Sequence, residues 1–285
     1  DSIEYVDVAC SEKYFKNTFV EDSKPAMIHN CTEDAVWPSG RTHWDPLVLI
    51  DTLGGSRRFE VAGENATVSL RDFVSYIQSH SAREDDNPVY IFETLVDGEH
   101  DDIISKFIVP PFFTDSSIGG VHTPGDSADL LSAAGEDGLA FGVHRWFLLG
   151  PKGSGSNMHV DPLGTSAWNT LLLGRKMWVL FPPGTNEEHI KAPVFSPNRN
   201  NEPSVRAKDF CAAAWFAHVL PDIQTSVREG TWLSSETPVQ FVQQSGETVY
   251  VPAGWWHVVI NLETTACVTQ NIAEASNYAA VAKEV

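Results

Sequence analysis

From Arg145 onward the chain is cut by glycine and proline into short runs rich in β-branched and aromatic residues. They are Trp146–Leu149, Ala167–Leu173, Met177–Phe181, Val239–Val242, Thr248–Val251, Val258–Leu262 and Ala266–Gln270. Runs of four to seven residues are too short for stable helices, and evenly placed turn signals between them are the pattern of a sandwich or barrel. This punctuation restricts the second half to a closed or double-layered all-β core.

The first 144 residues read differently, as mixed and partly helical. Phe15, Phe19 and Val20 recur at helical spacing within Ser11–Val20. Ser69 with Asp72 forms a capping-box pattern that opens a helix burying Phe73, Val74 and Ile77. A short strand is expected at Val89–Phe92 behind Pro88. The expectation is one domain over residues 1–285, with helices from residues 1–144 packed outside a β-core in residues 145–285. Gly119–Gly138 and Pro193–Lys208 read as loops from their Gly, Pro, Ser, Asp and Asn content.

Charge and apolar patterning exclude some partners. The longest apolar stretch, Val249–Leu262, is broken by Pro252, Gly254 and His257, so no membrane partner is expected. A net charge of −19 disfavours direct binding to a nucleic-acid backbone and favours a basic partner. Cys10, Cys31, Cys211 and Cys267 form no C-x-x-C pair, which fits reduced thiols of an intracellular protein.

The motif that carries chemistry is H-x-D followed much later by a second histidine. In a strand, residues i and i+2 face the same way, so H-x-D delivers two ligands to one point. A distant histidine completes a two-histidine, one-carboxylate set that holds iron(II) and leaves coordination positions open. H-x-D occurs three times, at His43–Asp45, His100–Asp102 and His159–Asp161. His100 lies in a polar run, read as an exposed loop, and His43 precedes any clear strand. His159 follows Gly153-Ser154-Gly155-Ser156 and precedes a good strand, at the mouth of the β-core.

The second ligand discriminates better. Gly246 to Val259 reads as strand, tight turn and strand, and His257 opens the return strand beside Trp255 and Trp256. Core packing gives no reason for an imidazole there, whereas a ligand role does. Lys176 lies between two apolar strand runs, where a buried amine demands a carboxylate partner. It equally fits a lysine at a hairpin end reaching solvent, because Gly174-Arg175-Lys176 looks like a turn.

Met158-His159-Val160-Asp161-Pro162-Leu163-Gly164-Thr165-Ser166-Ala167-Trp168-Asn169 and Gly174-Arg175-Lys176-Met177-Trp178 closely resemble the JmjC oxygenases, as do Val251 to His257 and Val268-Thr269-Gln270-Asn271. The likeness is strongest to the phosphatidylserine-receptor type, lysyl hydroxylases and arginine demethylases, and runs from about Ile3 to Asn277. It implies a cupin-like double-stranded β-helix (jelly roll) and iron(II) ligands His159, Asp161 and His257. It also implies 2-oxoglutarate as cosubstrate with O2. Lys176 and Tyr90 would hold its distal carboxylate, with Asn169, Thr269 and Ser156 nearby. The implied activity is hydroxylation of protein side chains, lysine C5 first, in a Lys/Arg-rich substrate. The alternatives are N-methyl-arginine or N-methyl-lysine demethylation, or a non-catalytic binding module. The resemblance also implies a nuclear location. Residues 183–237 depart from the family pattern, and the helices and basic tail that follow the core in relatives are not matched.

Overall fold

A computed structural model of the chain describes residues 2–31, 41–113, 145–191, 211–273, 276–277 and 281. The loops expected at Gly119–Gly138 and Pro193–Lys208 lie outside these residues. In chain order the strands are β1 (Glu4–Asp7), β2 (Ala26–His29), β3 (Arg58–Glu60), β4 (Thr67–Ser69), β5 (Ile91–Thr94) and β6 (Arg145–Gly150). They continue with β7 (Ser166–Leu173), β8 (Arg175–Phe181), β9 (Val239–Gln244), β10 (Thr248–Val251), β11 (Trp256–Asn261) and β12 (Thr265–Ile272). Four helices matter for packing: α1 (Glu12–Phe15), α2 (Leu70–Gln78), α3 (Ala212–His218) and α4 (Leu220–Glu229).

Each β-rich run after Arg145 became a strand. They form two facing sheets, a seven-stranded one in the order β1-β2-β10-β7-β12-β6-β5 and a three-stranded one in the order β11-β8-β9. This mainly β, jelly-roll arrangement with flanking helices is the expected fold class. The sheets are stitched by an apolar layer in which Met27, Val249 and Val251 of the large sheet meet Trp178, Leu180 and Val259 of the small one.

Alternation along the strands sorts side chains between this interior and two outer cores. On the outer face of the large sheet, Trp168 and Tyr250 pack with Phe15, Phe19, Phe73, Phe112 and Phe113. The rings of Phe15 and Phe112 lie stacked at 4.4 Å. On the outer face of the small sheet, Val179, Phe181 and Val258 pack against Trp215, Val219, Leu220 and Ile223 of the α3–α4 region. Ser69 caps α2 as expected, its Oγ accepting from the Asp72 amide at 3.2 Å, and Phe73 and Val74 are buried.

Three expectations change. The N-terminal part does more than add helices, because β1, β2 and β5 extend the large sheet at both edges. The strand expected at Val89–Phe92 begins later, at Ile91: Pro88 has no N–H, and the Val89 amide donates to the Tyr76 hydroxyl at 3.2 Å instead of to a ladder. His100 is buried at 5% exposure, not on an exposed loop. Its Nε2 pairs with Glu93 at 3.1 Å, and its Nδ1 accepts from the Val96 amide at 3.1 Å. A buried imidazole with both nitrogens engaged is structural, which removes this H-x-D from contention.

Candidate metal centre and cavity

His159, Asp161 and His257 each present a ligand atom, and these atoms all lie within 4.8 Å of one another. Among the described residues no other three His, Cys, Asp or Glu side chains meet that condition. The H-x-D segment is not a regular strand, as its spacing had suggested. It is an irregular stretch pinned to β11. Asn261 donates its amide to the Ser154 carbonyl at 2.8 Å, and Val259 to Ser156 at 3.1 Å. His159 and His257 exchange two backbone bonds at 3.0 and 2.8 Å. The two ligand histidines are thus cross-strand neighbours, with ring centroids 4.1 Å apart. Gly155 makes this approach possible, because a Cβ there would sit 2.0 Å from the Val259 carbonyl oxygen.

Backbone carbonyls set both tautomers. His159 Nδ1 donates to the Asn157 carbonyl at 2.6 Å, and His257 Nδ1 donates to Trp255 at 3.1 Å. Each ring therefore keeps an Nε2 lone pair free for a metal. His257 Nε2 lies 3.9 Å from Asp161 Oδ2. Burial, then the neighbouring His159, holds His257 neutral, well below the ordinary histidine range. Burial lifts Asp161 to about 6, opposed by His159 and by a hydrogen bond from Asn271. Two neutral imidazoles and a carboxylate that is poorly solvated without a cation are the donor set a divalent ion requires, so the residues fit iron(II).

A cavity of about 260 Å³ opens from this cluster between the sheets. Its walls are aromatic and apolar, including Phe92, Trp146, Trp178 and Val259, and its polar lining includes Ser156, Asn169, Lys176, Thr269 and Asn271. Lys176 points inward at 4% exposure rather than reaching solvent from a hairpin end. Its Nζ donates to Cys267 Sγ at 2.9 Å, and no carboxylate partner is found for it among the described residues. Asn169 is buried and its Oδ1 has no partner among the described residues. The Thr269 hydroxyl donates to the Trp168 carbonyl at 2.9 Å. Tyr90 is not part of the cavity wall, but burial and then the nearby Cys267 push its hydroxyl up to about 12, so it stays protonated as a donor.

The structure therefore brings Lys176, Asn169, Thr269 and Ser156 to the same cavity as the histidine–aspartate cluster and leaves Tyr90 out of its lining. Two contributors were missed from sequence. Asn271 hydrogen-bonds Asp161 and donates to the Thr165 hydroxyl at 2.9 Å. Cys267 receives Lys176. Both alternate with Thr269 along β12, so period-two facing from Thr269 would have found them.

Comparison with known proteins is consistent with this geometry. Residues 146–272 match the JmjC domain, hydroxylase family. The chain is 31% identical over 281 residues to the bifunctional arginine demethylase and lysyl-hydroxylase psr-1 of Caenorhabditis elegans, covering 97% of this chain and 62% of that protein. Its Caenorhabditis briggsae counterpart is 31% identical over 92% of this chain and 59% of its own length. The human 2-oxoglutarate and iron-dependent oxygenase JMJD4 is 27% identical over 84% of this chain and 50% of that protein. The chain thus spans about 60% of the length of the psr-1 relatives. The JmjC match spans the strand-built core and contains all three members of the His159–Asp161–His257 cluster.

Proposed function

We propose that this chain is an iron(II)- and 2-oxoglutarate-dependent oxygenase that hydroxylates a protein side chain, with lysine C5 in a basic substrate as the leading target. One observation carries the reading. A metal-competent cluster and a buried Lys176 that has no carboxylate partner among the described residues share one cavity between the sheets. A dicarboxylate that chelates a metal at one end and pairs with an ammonium at the other satisfies both needs.

His159, Asp161 and His257 would hold the iron, and Lys176 with Tyr90 would bind the distal carboxylate, assisted by Asn169, Thr269 and Ser156. When bound, iron(II) supplies oxidative chemistry in which 2-oxoglutarate, O2 and a substrate C–H become succinate, CO2 and C–OH. The protein's own part is positional. Backbone carbonyls orient the two imidazoles, Asn271 steadies Asp161, and Trp146 and Trp178 keep water from the reacting centre.

The psr-1 names support two chemistries, lysyl hydroxylation and arginine demethylation. Hydroxylation at a lysine side-chain carbon that bears no nitrogen leaves a stable alcohol, whereas hydroxylation of an N-methyl group gives a carbinolamine that breaks down to the N–H and formaldehyde. A chain of net charge −19 attracts Lys/Arg-rich peptides in either case. Succinate release with iron(II) and 2-oxoglutarate, with and without basic peptides, tests the activity. Equal turnover by wild type and His159→Ala would sink it. Mass spectrometry of the peptide separates the chemistries, since a gain of one oxygen on lysine excludes demethylation as the main reaction on that peptide.

A further inference from the structure

The Lys176 end of the cavity is backed by one sulfur atom. Cys267 is wholly buried on β12, two residues from Thr269 and on the same face. Its Sγ accepts from Lys176 Nζ at 2.9 Å and from Asn169 Nδ2 at 3.6 Å. It is also close enough to Tyr90 to influence that hydroxyl, second only to burial. Two of the five side chains assigned to the cosubstrate, Lys176 and Asn169, therefore meet at Cys267.

The lysine stem is four flexible methylenes, so stem geometry alone does not fix where its charge sits. Here the ammonium has no carboxylate to hold it among the described residues, and the thiol supplies the contact. Asn169, whose NH2 reaches the same sulfur, leaves its Oδ1 buried and without a partner among the described residues. Its side chain lines the cavity. A buried hydrogen-bond acceptor, Asn169 Oδ1, therefore lies beside the Lys176–Cys267 contact.

Resting on the oxygenase reading above, we propose that Cys267 is a positioning residue that fixes the depth of Lys176 and thereby selects the length of the dicarboxylate the cavity accepts. The metal cluster anchors one end of the ligand and the ammonium anchors the other, so moving Nζ by one bond length changes the preferred chain length by one methylene. With Cys267 in place the ammonium cannot retreat into the space the sulfur occupies. An alanine there opens that space, and Lys176 withdraws into it.

The test is calorimetric binding of 2-oxoglutarate and of the one-carbon-longer 2-oxoadipate to the chain loaded with Mn(II), which needs no turnover. Wild type is expected to favour 2-oxoglutarate. Cys267→Ala is expected to shift the ratio of the two affinities toward 2-oxoadipate by about tenfold, the scale of one methylene in a closed pocket. Cys267→Val keeps the bulk but loses the acceptor, so it should weaken both ligands and leave their ratio unchanged. Cys267→Ser keeps an acceptor and should show a smaller shift than alanine. The inference is overturned if folded Cys267→Ala changes both affinities by the same factor or neither. Failure of wild type to bind either diacid, while still binding Mn(II), would instead remove the oxygenase reading on which the inference rests.

Discussion

Asp161 is the ligand whose proton matters most. Burial lifts it to about 6, above the range of an exposed aspartate. A carboxyl raised in the fold keeps its proton to higher pH than in the unfolded chain. Its contribution to metal-free stability is therefore greatest at low pH and declines as pH rises toward about 6. Metal binding requires the carboxylate and must displace that proton. Divalent-ion affinity is expected to climb about tenfold per pH unit below about 6 and to level off above it, which Mn(II) titrations across that range would show. Asp161→Asn should abolish most of the affinity and flatten the profile. Lys176→Met removes the cation without much change of bulk. It is expected to weaken 2-oxoglutarate binding by about 2–3 kcal/mol, the value of a charge-assisted pairing in a buried site, while Mn(II) binding persists. Calorimetry on the metal-loaded chain separates the two effects.

The stretch from Ser154 to His159 depends on running close along β11, and Gly155 is its narrowest point. Gly155→Ala places a methyl 2.0 Å from a backbone oxygen that has no flexible end to yield. The segment must lift from β11, and His159 moves with it. A stability loss of about 1–3 kcal/mol is expected from such overpacking, with a loss of metal affinity larger than that of a core substitution of equal ΔΔG. Phe15→Ala supplies the comparison. It removes a ring stacked on Phe112 outside the large sheet and should cost about 3–5 kcal/mol while leaving Mn(II) affinity intact in the protein that remains folded. Denaturant melts with parallel Mn(II) binding check both.

Across the whole molecule, the cavity is a joint between the two sheets. His257 and Lys176 come from the small sheet, Asn169, Thr269 and Asn271 from the large one, and His159 and Asp161 from the segment between. A ligand bound there ties the sheets together and favours the folded state. Mn(II) with 2-oxoglutarate, each at a hundredfold excess over its dissociation constant, should together stabilise the fold by more than the about 2.7 kcal/mol expected of one such ligand alone. A thermal shift no larger with both than with Mn(II) alone would show that the dicarboxylate is not held between the sheets.

The β-core was legible in the chain itself, because half-buried strands separated by turn residues write their alternation directly into local sequence. The Ser69–Asp72 cap and the His257 turn were legible for the same reason, as local pairings need no knowledge of distant partners. Three H-x-D motifs could not be ranked by spacing alone. Sequence context pointed to His159, but burial and hydrogen bonding were needed to show that His100 is structural. The α3 and α4 helices in residues 212–229 were missed, since their apolar residues make sense only against the outer face of the small sheet. Cys267 and Asn271 were marked only by sharing the face of Thr269 on β12, which does not say what they meet. Their meeting with Lys176 and Asp161 joins residues 91 and 110 positions apart. Local physical chemistry determines which face a side chain takes. Which side chains share a cavity is decided by sheet order and register, and those exist only once the chain has closed.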